Sequence, residues 1–233
     1  MKPGATISGM VEAGDKKGGT RARYHSPLRQ RQAALTRQAI IEAAITLFRD
    51  RGWSATTVPM IATLAGTAVD TVYAVFGSKS GLLMAAVDVA IVGDDEEAAM
   101  VDRPDFAEFG RGRRSDRIRT GVRFTVGVFE RSLPMLKALQ DAATGDEAAA
   151  ARLRQYDQDR RDVTAAGMAL ILKAPPSDAV VDAIWALISP EVYRHLTEGR
   201  GWSRQRVESW FVAMGTAALA TAVSDDDAGI RRR

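Results

Sequence analysis

Apolar residues recur every three or four positions through most of the chain, and this spacing predicts helices. The first predicted helix begins at Thr36, whose hydroxyl can cap free backbone amides, and ends before Gly52. Its apolar stripe consists of Ile40, Ile41, Ala44, Ile45, Leu47 and Phe48. Neither the alternation typical of strands nor hairpin turn signals compete with this pattern. The chain is therefore predicted to be all-α, with about nine helices.

Two short helices joined by a glycine turn follow the first helix. Thr57 is expected to cap the first of them, and Pro59 lies in its first turn, where the missing amide of proline costs little. Residues 65–67 form the turn, because the glycine at its centre adopts the left-handed conformation of a tight bend. The second short helix covers 69–76, and a longer helix covers 78–92. Two short helices between longer ones are the layout of a helix-turn-helix, whose second short helix enters the major groove of DNA.

The rest of the chain is predicted to be a connection followed by helices. Residues 93–115 carry an acidic block and then a basic block, which is typical of a mobile, solvated connection. The helices predicted after it cover residues 118–131, 134–143, 146–172, 178–197 and 204–223. The helix over 178–197 is expected to have a kink at Pro190.

Composition argues against an enzyme. Cysteine is absent and only His25 and His195 supply imidazole, which excludes disulfides and disfavours metal sites and histidine acid–base chemistry. No Ser/His/Asp set or phosphate-binding loop is found, so we expect no catalysis and no cofactor. No apolar run reaches the length of about 18 residues that a membrane helix needs, and the first residues lack the apolar core of a signal peptide. We expect a soluble cytoplasmic protein that does not bind membranes.

Charge is unevenly distributed along the chain. The net charge is +3, but residues 1–90 hold 11 Lys and Arg against six Asp and Glu. Residues 1–30, rich in Gly, Lys and Arg, are predicted to be a disordered basic arm. A basic N-terminal part is expected to face a polyanion, and the arm is either a solubilising tail or a segment that reaches DNA.

The helix-turn-helix segment resembles the N-terminal domain of the TetR family of bacterial regulators. The resemblance lies in GWSATTVPMIATLAGTAVDTVYAVFGSKSGLL, residues 52–83, preceded by AITLF at 44–48, and it covers about 50 residues. The matching positions are Gly52, Trp53, Thr56, Thr57, Val58, Ile61, Ala62, Ala65, Gly66, Thr71, Tyr73, Phe76, Lys79 and Leu82. A weaker resemblance covers residues 188–214, which are similar to the two helices that end one TetR subgroup and form its dimer.

This resemblance implies a domain organisation. Residues 31–80 would form the DNA-binding domain and residues 81–223 a helical domain for ligand binding and dimerisation, followed by a disordered tail over 224–233. The implied function is a DNA-binding transcriptional regulator, most often a repressor in this family, which binds a palindromic operator as a homodimer and is released by a small apolar effector. The alternative is a similar helical ligand-binding or interaction module that does not read DNA.

The resemblance also assigns roles near the turn. Thr57, Tyr73 and Lys79 are expected to bind phosphates. The second short helix, VDTVYAVF, contains no Arg, Lys, Asn or Gln, which are the side chains that read guanine and adenine with two hydrogen bonds. Asp70 is expected to accept from cytosine, and Thr71 or Val69 to touch a thymine methyl. Base readout is thus expected to be sparse, with specificity resting on DNA shape, water or the basic arm.

Two sets of residues in the helical domain follow from the resemblance. The predicted effector pocket, with Arg123 or Tyr156 as its polar anchor, is lined by Phe124, Phe129, Met135, Leu139, Met168, Leu172 and Trp185, unless these residues belong to the ordinary core. The predicted dimer interface consists of Val181, Ile184, Ile188, Val207, Trp210, Phe211, Met214 and Ala218. The alternative is that the two terminal helices close the core of the monomer.

Overall fold

The computed structural model describes residues 27–93 and 99–230, and these form ten α-helices and two 3-10 turns without any strand. The all-α prediction is confirmed. The helices are α1 Pro27–Ala55, α2 Val58–Leu64, α3 Val69–Phe76, α4 Lys79–Val92, α5 Pro104–Ala107, α6 Arg114–Ala143, α7 Glu147–Leu172, α8 Asp178–Leu187, α9 Pro190–Thr197 and α10 Arg204–Ile230. Most of the predicted basic arm lies outside the described residues, and residues 27–30 belong to α1.

Several predicted boundaries were wrong. The first helix begins at Pro27, and the hydroxyl of Thr36 donates to the carbonyl of Gln32 at 2.9 Å instead of capping a helix start. The two helices predicted over 118–143 are one, because Pro134 removes only a single helix hydrogen bond and side chains on both sides of it are buried. The predicted tail is helical as far as Ile230, since no proline interrupts α10.

The predicted kink at Pro190 is a complete break. Ile188 leaves the helical conformation with ψ 75°, which ends α8. The hydroxyl oxygen of Ser189 accepts a hydrogen bond of 3.3 Å from the amide of Val192, and Pro190 occupies the first position of α9. A capping residue directly before a proline is a start signal for a new helix, and this explains the break.

The apolar side chains form two cores. The first joins α1, α2, α3 and α4 to the second half of α6 and the first half of α7. The second joins the first half of α6 and the second half of α7 to α8, α9 and α10. The helix-turn-helix therefore rests on α6 and α7 as well as on its own helices, and α4 packs against α1, α6 and α7.

The segment predicted as a mobile connection over 93–115 is partly built into the protein. Its described part contains a 3-10 turn at Met100–Asp102, the single turn of α5 and a second 3-10 turn at Glu108–Gly110. Phe106 and Phe109 are only 2% and 4% exposed. Because charged residues surround these two aromatic residues, the sequence pattern indicated a solvated segment. Their burial instead fixes the segment against α6 and α7.

No single helix among the described residues is long and apolar enough to span a membrane. Only α2 and α3 taken together meet the criterion of length and composition, and they are bent by 107° at their junction.

Candidate DNA-binding surface and effector cavity

The start of α2 is fixed by two neighbouring threonines with different tasks. Thr56 is fully buried, and its hydroxyl lies 2.8 Å from the carbonyl oxygen of Gly52 and 3.1 Å from that of Leu47. Thr57 is exposed, and its hydroxyl oxygen accepts from the amide of Met60 at 3.4 Å, so the predicted cap is confirmed. The buried threonine holds α2 against α1, which leaves the N-terminus of α2 facing solvent.

The turn between α2 and α3 is made by Gly66, which has φ +66°. Ala68 then occupies the cap position of α3 without any side-chain cap, since it carries no hydroxyl. The position of α3 thus depends on packing: Val72 is 1% exposed, and Val69 and Phe76 pack against the first core. Val69, predicted to contact a base, is half-buried in this way.

The outer face of α3 is largely apolar. Tyr73 and Val75 are 47% and 40% exposed, and Ala74 is exposed beside them. Asp70 is the one charged residue on this helix, and Thr71 is half-buried. A protruding helix with exposed large apolar groups is unusual on a soluble surface, and it is the feature expected of a surface that contacts a partner. This face carries no Arg, Lys, Asn or Gln, the side chains that read a base with two hydrogen bonds, as the sequence of α3 indicated.

Lys79 joins the start of α4 to the end of α1. Its ammonium donates to the carbonyl oxygen of Trp53 at 2.6 Å and lies 3.9 Å from the centre of the indole ring. Partial burial lowers the pKa of Lys79 below the usual lysine value. An ammonium has three N–H donors, so the contact with Trp53 leaves donors for the predicted phosphate contact.

A cavity of about 470 Å³ lies in the helical domain. Four of the predicted pocket residues line it, namely Phe124, Phe129, Met168 and Leu172. Met135, Leu139, Arg123 and Trp185 do not line it. Met135 and Leu139 belong to the first core, because the second half of α6 turns toward α1 and α4. Arg123 is exposed, and Trp185 lines a surface groove with Asp182 and Ala186.

Aromatic rings form one wall of this cavity. The ring centres of Phe106 and Phe109 are 4.6 Å apart, and that of Phe124 is 5.2 Å from Phe109. Two glycines allow this approach: a Cβ on Gly167 would lie 3.3 Å from the ring of Phe109, and one on Gly121 would lie 3.1 Å from Ile171. Phe106 and Phe109 were missed because they lie in a charged segment, although a proline followed by two aromatics three positions apart was a usable signal.

Polar side chains of α7 line another part of the cavity. Arg152, Tyr156 and Arg160 are spaced four residues apart and therefore share one face of the helix. Tyr156 was predicted as an alternative polar anchor, and it does line the cavity, at 6% exposure. The two arginines were missed, because the spacing that places them inside is equally typical of a solvated face.

The residues predicted for the dimer interface divide into three groups. Val181, Val207 and Phe211 are at most 2% exposed and belong to the second core, so the terminal helices do close the monomer at these positions. Ile184 and Ile188 line the cavity. Trp210 and Ala218 are partly exposed and Met214 is 37% exposed, and these three remain available on the surface.

Comparison with known proteins finds similarity to one family over the helix-turn-helix segment. Residues 40–86 match the family model described as bacterial regulatory proteins of the tetR family. No curated protein matches the sequence.

Solved structures with the same fold cover most of the chain. A TetR-family transcriptional regulator from Streptomyces coelicolor is 22% identical, with a TM-score of 0.62 over 84% of this chain and 87% of its own. A candidate TetR-family regulator from Rhodococcus sp. is 19% identical, with a TM-score of 0.61 over 79% and 98%. A TetR-like regulator from Rhodococcus sp. RHA1 is 16% identical, with a TM-score of 0.54 over 80% and 97%.

The matched segment 40–86 contains the buried anchor of α2, the glycine turn and the exposed face of α3, and the similar structures cover 79% and 84% of the chain. The chain thus has the fold of these solved TetR-family regulators, and its residues 40–86 are similar to the helix-turn-helix segment that the tetR family model describes.

Proposed function

We propose that this protein is a ligand-responsive repressor that binds a palindromic DNA operator as a homodimer. The observation that carries the proposal is the juxtaposition of the exposed N-terminus of α2 with the protruding face of α3. The backbone amides at the N-terminus of α2, capped by Thr57, suit a phosphate, while Tyr73 and Val75 project from the neighbouring helix. Thr57, Tyr73 and Lys79 are the proposed phosphate ligands, and Asp70 and Thr71 the proposed base contacts.

Communication between the cavity and the DNA-binding helices is proposed to pass through α4. At the end of α4, the guanidinium of Arg131 in α6 donates to the carbonyl oxygens of Ala90 and Ile91, at 3.0 and 2.9 Å. Near its start, the hydroxyl of Ser80 donates to Asp146, which caps α7. Since α4 also contributes Ile91 and Val92 to the cavity wall, an effector that displaces this wall would move α4 and the helix-turn-helix with it.

We place the dimer interface on the exposed sides of α8 and α10. On α10 these are Trp210, Ala213, Met214 and Ala217, and small residues among larger ones permit close packing of helices. The substitution Met214→Asp is expected to convert the dimer to a monomer in size-exclusion chromatography with light scattering, and to weaken operator binding. A monomeric wild-type protein would contradict this part of the proposal.

DNA binding is tested with fragments of the protein's own promoter region and with a selection from random DNA. Because phosphate contacts release counterions, the affinity is expected to fall steeply as the salt concentration rises. Tyr73→Ala should weaken binding to all sequences alike, whereas Asp70→Asn or Thr71→Ala should alter the preferred sequence. Retention of no fragment at low salt would contradict the proposal.

That negative result would favour the second candidate function, a ligand-binding module without DNA recognition. The observation behind it is the absence of Lys, Arg, Asn and Gln from α3. A DNA-binding measurement distinguishes the two candidate functions, because both include the cavity and only the regulator binds DNA.

A further inference from the structure

The two arginines on the cavity wall differ in whether a carboxylate lies beside them. The guanidinium of Arg152 lies 2.6 Å from a carboxylate oxygen of Asp88 and 3.6 Å from one of Asp159. Both carboxylates also line the cavity, so this arginine is paired within the wall. Arg160, two turns further along α7, has no carboxylate within 4.0 Å among the described residues. Among the described residues, Arg160 is therefore the one cationic side chain of the cavity wall that has no ion partner.

The hydrogen bonds and the ring contact that the described residues make with the guanidinium of Arg160 all come from neutral groups. Arg160 donates to the carbonyl oxygen of Trp185 at 2.7 Å, and its guanidinium carbon lies 4.2 Å from the centre of the Trp185 ring. Its Nε is buried and has no hydrogen-bond partner. Burial lowers the pKa of Arg160, while Tyr156, Glu191 and Asp157 act in the opposite direction. A guanidinium that is desolvated without a counter-ion is costly, and an anion beside it would relieve that cost.

Tyr156 provides a second polar group one turn before Arg160. Its side chain is 6% exposed, and its hydroxyl forms no hydrogen bond with the described residues. Burial raises the pKa of this hydroxyl above the usual tyrosine value, so it stays protonated and able to donate. Tyr156 and Arg160 are four residues apart on α7 and both line the cavity, so the two side chains share one face of the helix.

We propose that the effector is an apolar carboxylic acid, whose carboxylate is bound by Arg160 and Tyr156 and whose apolar body lies against Phe106, Phe109, Phe124 and Phe129. This inference rests on the proposed function, in which the cavity holds the effector. A monocarboxylate fits better than a phosphate ester, because one guanidinium without an ion partner among the described residues balances one negative charge. The volume of about 470 Å³ is within the range of small-molecule pockets and accommodates a medium-length chain or an aromatic acid.

Matched probes test the proposal directly by isothermal titration calorimetry on the full chain. Decanoate and 1-decanol share a chain length and differ in charge, and 4-phenylbutyrate adds an aromatic body. We expect decanoate or 4-phenylbutyrate to bind about tenfold or more tightly than 1-decanol, since only the acids neutralise the arginine. Equal affinity for acid and alcohol, or no binding of either acid, would overturn the proposal.

Variants locate the binding group. Arg160→Met is expected to reduce the affinity for decanoate by about tenfold or more and to change that for 1-decanol by less than about threefold. Arg161→Met is the matched control, because the neighbouring Arg161 bridges α7 to Asp178 and Asp182 of α8 outside the cavity and should leave both affinities unchanged. Tyr156→Phe retains the ring and should weaken decanoate binding alone, which keeps the test valid if Arg160→Met fails to fold.

A DNA-release assay separates this inference from the proposed function. If 1-decanol binds as well as decanoate and releases DNA, the cavity still controls a regulator and the carboxylate inference is wrong. If decanoate binds through Arg160 but the protein retains no DNA under any condition, the effector class stands and the regulator proposal is wrong.

Discussion

Replacing Lys79 by methionine tests how one side chain serves both the stability of the helix-turn-helix and its proposed contact with DNA. The lysine ammonium donates to the carbonyl oxygen of Trp53 at 2.6 Å and lies 3.9 Å from the indole centre. Methionine has a similar length and remains apolar, so Lys79→Met removes the charge and the donor while it retains most of the packing.

The expected loss of stability follows from these two contacts. A hydrogen bond from a charged donor contributes about 1.5–3 kcal/mol, and an ammonium near an indole ring about 0.5–2 kcal/mol. Part of this is offset, because the variant no longer desolvates an ammonium and gains apolar contact with Trp53. We expect the free energy of unfolding to fall by about 1–2 kcal/mol, which lowers the melting temperature of a chain of this size by about 2–8 °C.

The expected effect on DNA binding is separate and is read from salt dependence. One phosphate contact contributes about −0.9 to the slope of the logarithm of the binding constant against the logarithm of the salt concentration. If each protomer of a dimer loses one contact, the slope becomes shallower by about 1.8. Fluorescence anisotropy of a labelled operator fragment over a series of salt concentrations measures this slope.

Lys137→Met is the matched control, since Lys137 is an exposed lysine on α6 and should alter neither quantity. An unchanged slope would show that Lys79 does not contact phosphate and serves only to hold α1 to α4. An unchanged melting temperature would refute the energetic reasoning from the Trp53 contacts.

Three further predictions concern stability and the cavity. Thr56→Val should cost about 1–3 kcal/mol in urea denaturation, because it removes the buried hydroxyl donor that lies between two carbonyl oxygens of α1. Thr56→Ser retains the hydroxyl and should cost less, and equal stability of the valine variant would refute the role of the hydroxyl. Gly167→Ala should weaken binding of 1-decanol, because the new methyl group lies 3.3 Å from an aromatic ring of the cavity wall and displaces that ring. Gly145→Ala is the control, since Gly145 has open space around it. Unchanged binding by the Gly167 variant would show that the ring can move without a loss of affinity. Hydrogen bonds, above all from Ser80, lower the pKa of Asp146 in the folded protein below the value in the unfolded chain. The carboxylate of Asp146 therefore stabilises the fold at any pH above the unfolded pKa, and this stabilisation is lost as the pH falls through the folded pKa. Denaturation of Asp146→Asn between about pH 6 and pH 3 should therefore show a flatter loss of stability than wild type, and an identical profile would contradict the assignment.

The helix-turn-helix was predictable because its signals are local. A capping threonine, a glycine with positive φ and short apolar repeats each act within a few residues, and they specified α2, the turn and α3 nearly to the residue. Thr36 shows the limit of such signals: its hydroxyl bonds to the preceding turn as readily as it caps a helix, so it marked a helix start where α1 in fact continues.

The cavity was less predictable because its wall depends on which way long helices face. Met135 and Phe129 lie on the same helix, yet one belongs to the first core and the other lines the cavity. Hydrophobic spacing identifies both as buried and contains no information on the neighbour that buries them. Arg160 was missed for a related reason, since it donates to the backbone oxygen of Trp185 in α8, a contact that no sequence pattern reveals.

The shared first core has a consequence for anyone who wishes to transplant the DNA-binding helices. Residues 31–80 carry every feature of the helix-turn-helix, but the apolar faces of α1 and α4 are completed by Met135, Leu136 and Leu139 of α6. A fragment ending at α4 would expose these faces to water and is expected to lose stability or aggregate. A working chimera would have to exchange the second half of α6 together with helices α1 to α4. The part of the protein that must be transferred is therefore discontinuous along the chain.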